Sequence, residues 1–236
     1  MPKLEISKVH DAYGGSGECP LCTLMEGAEE TCLRSFPHSR VMEPRVRVKT
    51  NKDGFCPDHY RRLYERENKL GLGLIVHTHL HEQLPQLRAA FDGMRTAARK
   101  ARKMDDAAST IARLRDRCFI CDLLQGDLDR YVFTILFLWS KDAEFLPKLR
   151  SSRGFCLPHF LSLLASARKM LRADRLERWL DDVIPLMMDS LERLERELHA
   201  FTQLHHDAHK GLGTDTERTA LARTLQKLAG GRFRLE

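Results

Sequence analysis

The 236-residue sequence has no long apolar run. Its longest, Tyr131 to Trp139, is far below the roughly 18 residues that suggest a membrane span. Met1 to Asp11 holds neither an apolar segment nor a small-residue cleavage site, so a secretory signal is not expected and a cytoplasmic protein is. No stretch alternates convincingly between apolar and polar residues, which argues against strands. The common catalytic signatures are missing too. Gly-x-Gly occurs at 71–73 and 211–213 without a preceding strand or a third glycine, and there is no P-loop, Gly-x-Ser-x-Gly or His-Glu-x-x-His. An enzyme is therefore the less favoured expectation. Charged residues make up 31% and hydrophobic ones 42%, as in an ordinary soluble protein, and the formal charge of +6 permits an acidic partner without requiring one.

What the sequence does have is one pattern written twice. Cys19-Pro20-Leu21-Cys22 is followed, after a gap of about 33 residues, by Gly54-Phe55-Cys56-Pro57-Asp58-His59. Cys118-Phe119-Ile120-Cys121 is followed in the same way by Gly154-Phe155-Cys156-Leu157-Pro158-His159. Cys118 lies 99 positions after Cys19, and Cys156 lies 100 after Cys56, so the chain reads as an internal duplication. The division is 1–105 for the first copy and 106–236 for the second plus C-terminal helices, packed as one unit. Three thiols and one imidazole per copy complete a tetrahedral zinc set. Four protein ligands close the site, which makes each zinc structural, whereas catalytic zinc keeps a position for water. A reducing compartment favours ligation over disulfides. An iron–sulfur cluster suits the same ligands and stays open as the alternative, as does a thiol-based redox or sensor role. Cys32 has no counterpart in the second copy and reads as a small core residue.

The element pattern is helical throughout. Met1 to Gly17 reads as a flexible entry. Pro20 then suits a first helical turn, which places Cys19 and Cys22 at a helix head, where the dipole favours thiolate. Residues 37–52 and 145–150 read as helical turns, although Arg45-Val46-Arg47-Val48-Lys49 also alternates like a short strand. Cys56 and His59 open the next helix three residues apart, on one face, as do Cys156 and His159. Phe55 and Phe155 add apolar cover. Gly71-Leu72-Gly73 is a break or a close crossing, and Pro85 a kink or join in a helix carrying Leu74, Val76, Leu80, Leu84, Leu87, Phe91 and Met94. The run through Trp139 is apolar all round and should be the most buried helix. A long helix from about Asp174 to His206 carries an apolar stripe expected to pack against the Leu74–Met94 helix, and Thr216 to Leu228 forms a last short one.

Three weaker signals carry bland readings. His77 and His81, and likewise His205 and His209, are four apart and can chelate, but such pairs are more often surface histidines. Glu43, His77 and His79 are the candidates for polar lining if a pocket exists. The run 88–117 holds nine basic residues against four acidic ones. It could follow a phosphate backbone, yet it lacks interleaved aromatics, so a solvated face is preferred to a nucleic-acid-binding module.

Val41-Met42-Glu43-Pro44, Asn51-Lys52-Asp53-Gly54-Phe55-Cys56, His77-Thr78-His79-Leu80 and both cysteine patterns resemble an uncharacterised bacterial family, mainly from Firmicutes, over nearly the whole chain. The resemblance implies an intracellular bacterial protein and no activity. The expectation is an all-α, internally duplicated, cytoplasmic protein with two zinc-stapled helix-head sites and a scaffolding, ligand-binding or partner-binding role; its partner is unknown, a protein or a second copy being the candidates. Ligands are taken to pair within each copy, with exchange, such as Cys19 and Cys22 with Cys156 and His159, left open.

Overall fold

The computed structural model describes residues 4–96, 101–203 and 214–231. Every regular element among them is helical: α1 (Ile6–Ala12), α2 (Pro20–Ser35), a 3-10 turn (Arg40–Met42), α3 (Pro44–Asp53), α4 (Pro57–Tyr64), α5 (Lys69–Thr96), α6 (Ala101–Arg115), α7 (Phe119–Lys141), α8 (Phe145–Ser151), α9 (Leu157–Met170), α10 (Ala173–Gln203), α11 (Asp215–Arg218) and α12 (Ala220–Ala229). None is long and apolar enough to cross a membrane.

These helices form two compact units. The terminal unit comprises Met1–Gly27 and Asp127–Glu236, and the central unit Ala28–Gly126. The units therefore do not follow the two motif copies, which divide near residue 105. Each unit has its own core. In the terminal unit Tyr131, Val132, Ile135, Leu136 and Leu138 of α7 meet Leu163 and Ala167 of α9 and Trp179, Val183 and Met187 of α10. In the central unit Cys32, Leu33 and Phe36 meet Phe55, Leu63, Leu72, Ile75, Phe119 and Ile120. Full burial of one such side chain contributes about 2 kcal/mol. The α2 and α7 sequences supply both cores: Leu21 and Leu24 belong to the terminal one and Leu33 to the central one, while Ile120 belongs to the central one and Ile135 to the terminal one.

Several expectations need correcting. Residues 1–17 are more than a flexible entry, because they contain α1, whose Val9 and the following Tyr13 are buried. Tyr13 meets Phe145 edge-on with ring centroids 4.8 Å apart. Two apolar residues four apart are enough to dock so short a helix. The basic alternation at 45–49 lies in α3, which Pro44 opens, and is not a strand. The expected stripe on α5 is not its buried face: Leu74, Leu80 and Phe91 are exposed, and Val76, Leu84, Leu87 and Met94 half-buried. Its inward residues are Gly71, Leu72, Ile75, Gln83 and Ala90. Small and polar side chains allow α5 to lie close to α3 and α6, its main neighbours. Likewise α10 buries Trp179, Val183, Met187, Ser190 and Leu194, spaced by three and four, and has α8, α11 and α12 among its neighbours. Each long helix thus finds short partners in its own unit. His205, His209 and the second Gly-x-Gly lie outside the described residues.

The 71–73 stretch is a close crossing within an unbroken helix. A Cβ on Gly71 would stand 2.0 Å from the carbonyl oxygen of Pro37, whereas one on Gly73 meets nothing within 4 Å. Gly71→Ala is therefore expected to destabilise the fold by about 2 kcal/mol or more, because backbone must move. Gly73→Ala, in the same helix, is expected to stabilise it by about 0.5 kcal/mol. Urea titration of the two variants checks the opposite signs.

Candidate metal centres

Local sequence rules set the position of every cysteine and histidine in the two patterns. Gly54 (φ 59°) and Gly154 (φ 69°) occupy the left-handed region, which admits glycine at little cost. They turn the chain so that Cys56 and Cys156 become extended cap residues of α4 and α9, each followed by proline in the first helical turn. The carbonyls of Cys56 and Cys156 accept from the amides of Tyr60 and Phe160, both at 2.9 Å, which starts each helix and places the histidine one turn on. Cys19 and Cys118 play the same part for α2 and α7, accepting from Thr23 at 3.3 Å and Asp122 at 3.1 Å. All four helix heads therefore carry two donors on one face.

The heads meet in two fours, and they do so across the copies. Cys19, Cys22, Cys156 and His159 form one set, and Cys56, His59, Cys118 and Cys121 the other, with all donor atoms of a set within 4.8 Å of one another. Within-copy pairing is thus overturned. In the terminal set Nδ1 of His159 lies 3.4, 3.5 and 3.2 Å from the sulfurs of Cys19, Cys22 and Cys156, and Cys22 lies 3.6 Å from Cys156. In the central set Nδ1 of His59 lies 3.2, 3.2 and 3.4 Å from Cys56, Cys118 and Cys121. A tetrahedron with metal–sulfur bonds of about 2.3 Å and metal–nitrogen bonds of about 2.0 Å has S···N edges of about 3.5 Å and S···S edges of about 3.8 Å. Both sets fit a single ion.

Helix length gives the reason for the exchange. α2 has 16 residues and α7 has 23. At about 1.5 Å per residue they carry the chain about 24 and 34 Å from their own heads before the downstream pair begins.

Protons are shared unevenly within each set. Burial opposes charge on His59, but bonds to Cys118 and Glu29 prevail and hold its pKa up to about 10. Burial likewise resists ionisation of Cys118, yet the bond from His59 and the backbone amides bring it down to about 6. The Cys121 amide donates to the Cys118 sulfur at 3.4 Å. In the terminal set burial also works against Cys19, while Cys156, Cys22 and His159 pull it well below the usual thiol range. His159 rises to about 9, against burial, through Cys19 and Cys22. Each set therefore offers a thiolate to a cation.

The outer shell differs between the sets. His59 donates through Nε2 to Glu29 at 3.1 Å, and Glu29 is also paired with Arg62. This carboxylate–histidine arrangement orients a ligating imidazole. The terminal set is backed by charge that the sequence reading missed. Lys227 of α12 is fully buried, and its ammonium donates to the carbonyls of Glu18 at 2.9 Å and Arg153 at 2.5 Å. These residues immediately precede Cys19 and Gly154, so Lys227 fastens together the two segments that present the ligands. The carboxylate of Glu18, buried as well, accepts from Arg193 at 2.6 Å, Arg153 at 3.0 Å and Arg223 at 3.3 Å. A cavity of about 500 Å³ beside them is lined by Thr23, Arg153, Arg193, Glu197 and Arg223.

Long helices support both Gly-Phe-Cys turns from behind. The Phe155 amide lies 3.3 Å from the sulfur of Met187 in α10. His79 of α5 donates from Nδ1 to the Asn51 carbonyl at 2.8 Å, and its ring would be 2.7 Å from a Cβ on Gly54. That is a structural role for His79. Glu43 and His77 are exposed, and neither they nor His79 belongs to the two candidate fours or lines the cavity above.

If each set holds one ion, paired substitutions report the exchange. Cys19→Ser with Cys156→Ser should cost about one equivalent of metal, whereas Cys19→Ser with Cys56→Ser should cost about two. Within-copy pairing gives the reverse, and elemental analysis of the purified variants distinguishes them. Glu29→Ala is expected to weaken metal binding at the central set by roughly 10-fold or more, read by chelator competition, with the terminal set unaffected.

A family model described as a family of unknown function (DUF6062) matches residues 2–234. Comparison with curated proteins and with solved structures found no match.

Proposed function

The chain belongs to DUF6062, a family of unknown function, and we propose that it binds two zinc ions, one in each Cys3His set, as a helical scaffold in a reducing compartment such as the cytoplasm. One observation carries this reading: four donors, two from each motif copy and two from each of two helix heads, lie within 4.8 Å of one another in both units. Three thiols gathered around an imidazole in each unit are the donor set that a tetrahedral metal ion takes. The edge lengths favour a single ion over an iron–sulfur cluster, whose separate irons spread their thiolates further apart. Zinc suits the set because it accepts a closed tetrahedron of sulfur and nitrogen without a redox requirement. All four positions are taken by protein, so the role is to join α2 to α9 and α4 to α7, not to activate water.

A protein surface is the partner that this scaffold suits. Leu221, Leu225 and Leu228, at helical spacing on α12, are exposed, as are Leu74, Leu80 and Phe91 on α5. Most of the basic residues at 88–117 are interrupted by Asp92, Asp105, Asp106 and Asp116, which speaks against a continuous phosphate track.

Elemental analysis of the purified protein tests the reading, with about two zinc per chain and a colourless solution expected. A brown protein containing iron and sulfide overturns zinc, and a protein without bound metal overturns the function. Because binding displaces protons from thiols and imidazole, metal affinity is expected to fall as pH falls. Chelator should lower the thermal midpoint in calorimetry and reduce helicity in circular dichroism.

A further inference from the structure

We infer that the central set is a peroxide-sensitive thiolate switch that releases its ion on oxidation, while the terminal set keeps its own. This deepens the metal-binding reading and rests on it. The two sets have the same ligands but not the same access. In the terminal set Cys19, Cys22 and Cys156 are at most 5% exposed. α12 also closes over it: a Cβ on Gly230 would lie 3.5 Å from the Cys156 sulfur, and Lys227 bonds the carbonyls ahead of both ligand pairs. In the central set Cys121 is exposed and Cys56 half-buried, and their sulfurs face each other at 3.9 Å. Only Cys118 and His59 are buried there.

Thiolate reactivity follows access as well as ionisation. As a ligand of the ion Cys121 is a thiolate, and its sulfur attacks one oxygen of hydrogen peroxide. An S–O bond forms, the O–O bond breaks, and the hydroxide that leaves takes up a proton to become water. The Cys56 thiolate then attacks the Cys121 sulfur. An S–S bond forms, the S–O bond breaks, and the second hydroxide is protonated to water. Two thiolates lose two electrons to one peroxide, and two protons are consumed. The sulfurs need to close from 3.9 Å to about 2.05 Å. The ion loses two of its four ligands and dissociates from His59 and Cys118. α4, eight residues long, then keeps only the Cys56–Cys121 disulfide to α7 in place of the four-ligand centre, and His59 is left without the ion.

The test treats the metal-loaded full-length protein with one equivalent of hydrogen peroxide. Ion release is followed with a colorimetric chelator, and thiols are mapped by differential alkylation and mass spectrometry. The expected result is release of about one of two ions, with Cys56 and Cys121 joined in a disulfide and the first release roughly 10-fold faster than the second. Simultaneous loss of both ions, earlier oxidation of Cys19, Cys22 or Cys156, or over-oxidation of Cys121 without a disulfide would overturn the inference. Metal content is measured first. A protein without metal sinks the function proposed above and this inference with it, whereas a loaded protein whose thiols oxidise in another order sinks this inference alone.

Discussion

Three sulfurs and an imidazole held within one bond length of a common centre are the constraint on which each unit depends. Cys22 and Cys156 stand 3.6 Å apart. Two thiolates at that distance repel by about 5 kcal/mol at an effective dielectric of 20, and a third adds to it. Such a group is tolerable when protons or a cation sit among the sulfurs. The helix heads help, since α2 and α9 in one unit, and α4 and α7 in the other, direct their positive ends at the donors. The same geometry that caps the helices therefore prepares the charge that a metal ion neutralises.

Exchange between the copies decides what those centres accomplish. Cys19 and His159 are 140 positions apart, while Cys121 and His59 are 62 apart. Loop closure grows only with the logarithm of length, so reaching His159 instead of His59 costs Cys19 about 1 kcal/mol more. That is small beside the roughly 10 kcal/mol of a structural zinc site. The gain is architectural. The loop between His59 and Cys121 contains most of the central unit, the loop between Cys19 and His159 carries the whole central unit within it, and the heads of α2 and α7 belong to one unit while their later turns fill the core of the other.

Much of this was legible in the residues and some was not, for reasons that can be named. The glycine-phenylalanine-cysteine turns, the proline-opened helices and the residues of the two fours follow from local rules and were readable. The pairing was not readable from spacing, because spacing along the chain favours the nearer pair. The lengths of α2 and α7 carry information against it, since a helix takes the chain away from its own head. The face of α5 was misread because leucines were weighted over Gly71 and Ala90, although close crossings select small residues. Lys227 was missed because a lone lysine in Ala220–Ala229 reads as the polar face. Its burial is explained only by the carbonyls of Glu18 and Arg153, which are distant in sequence. Val9 and Tyr13 were too few to register as an amphipathic helix.

Duplication of a motif does not duplicate its surroundings. Both sets inherit the same donors and the same turns, yet one is overlaid by α12, for which the central unit has no equivalent in chain order. The overlaid set keeps its three cysteines buried, whereas the other presents Cys121 to solvent. Two copies of one chemistry can therefore divide a task that a single copy cannot: a centre that must hold the fold cannot also be free to open. In this chain the extra C-terminal helices after the second pattern supply that difference, and Lys227 is the residue through which they reach the ligands.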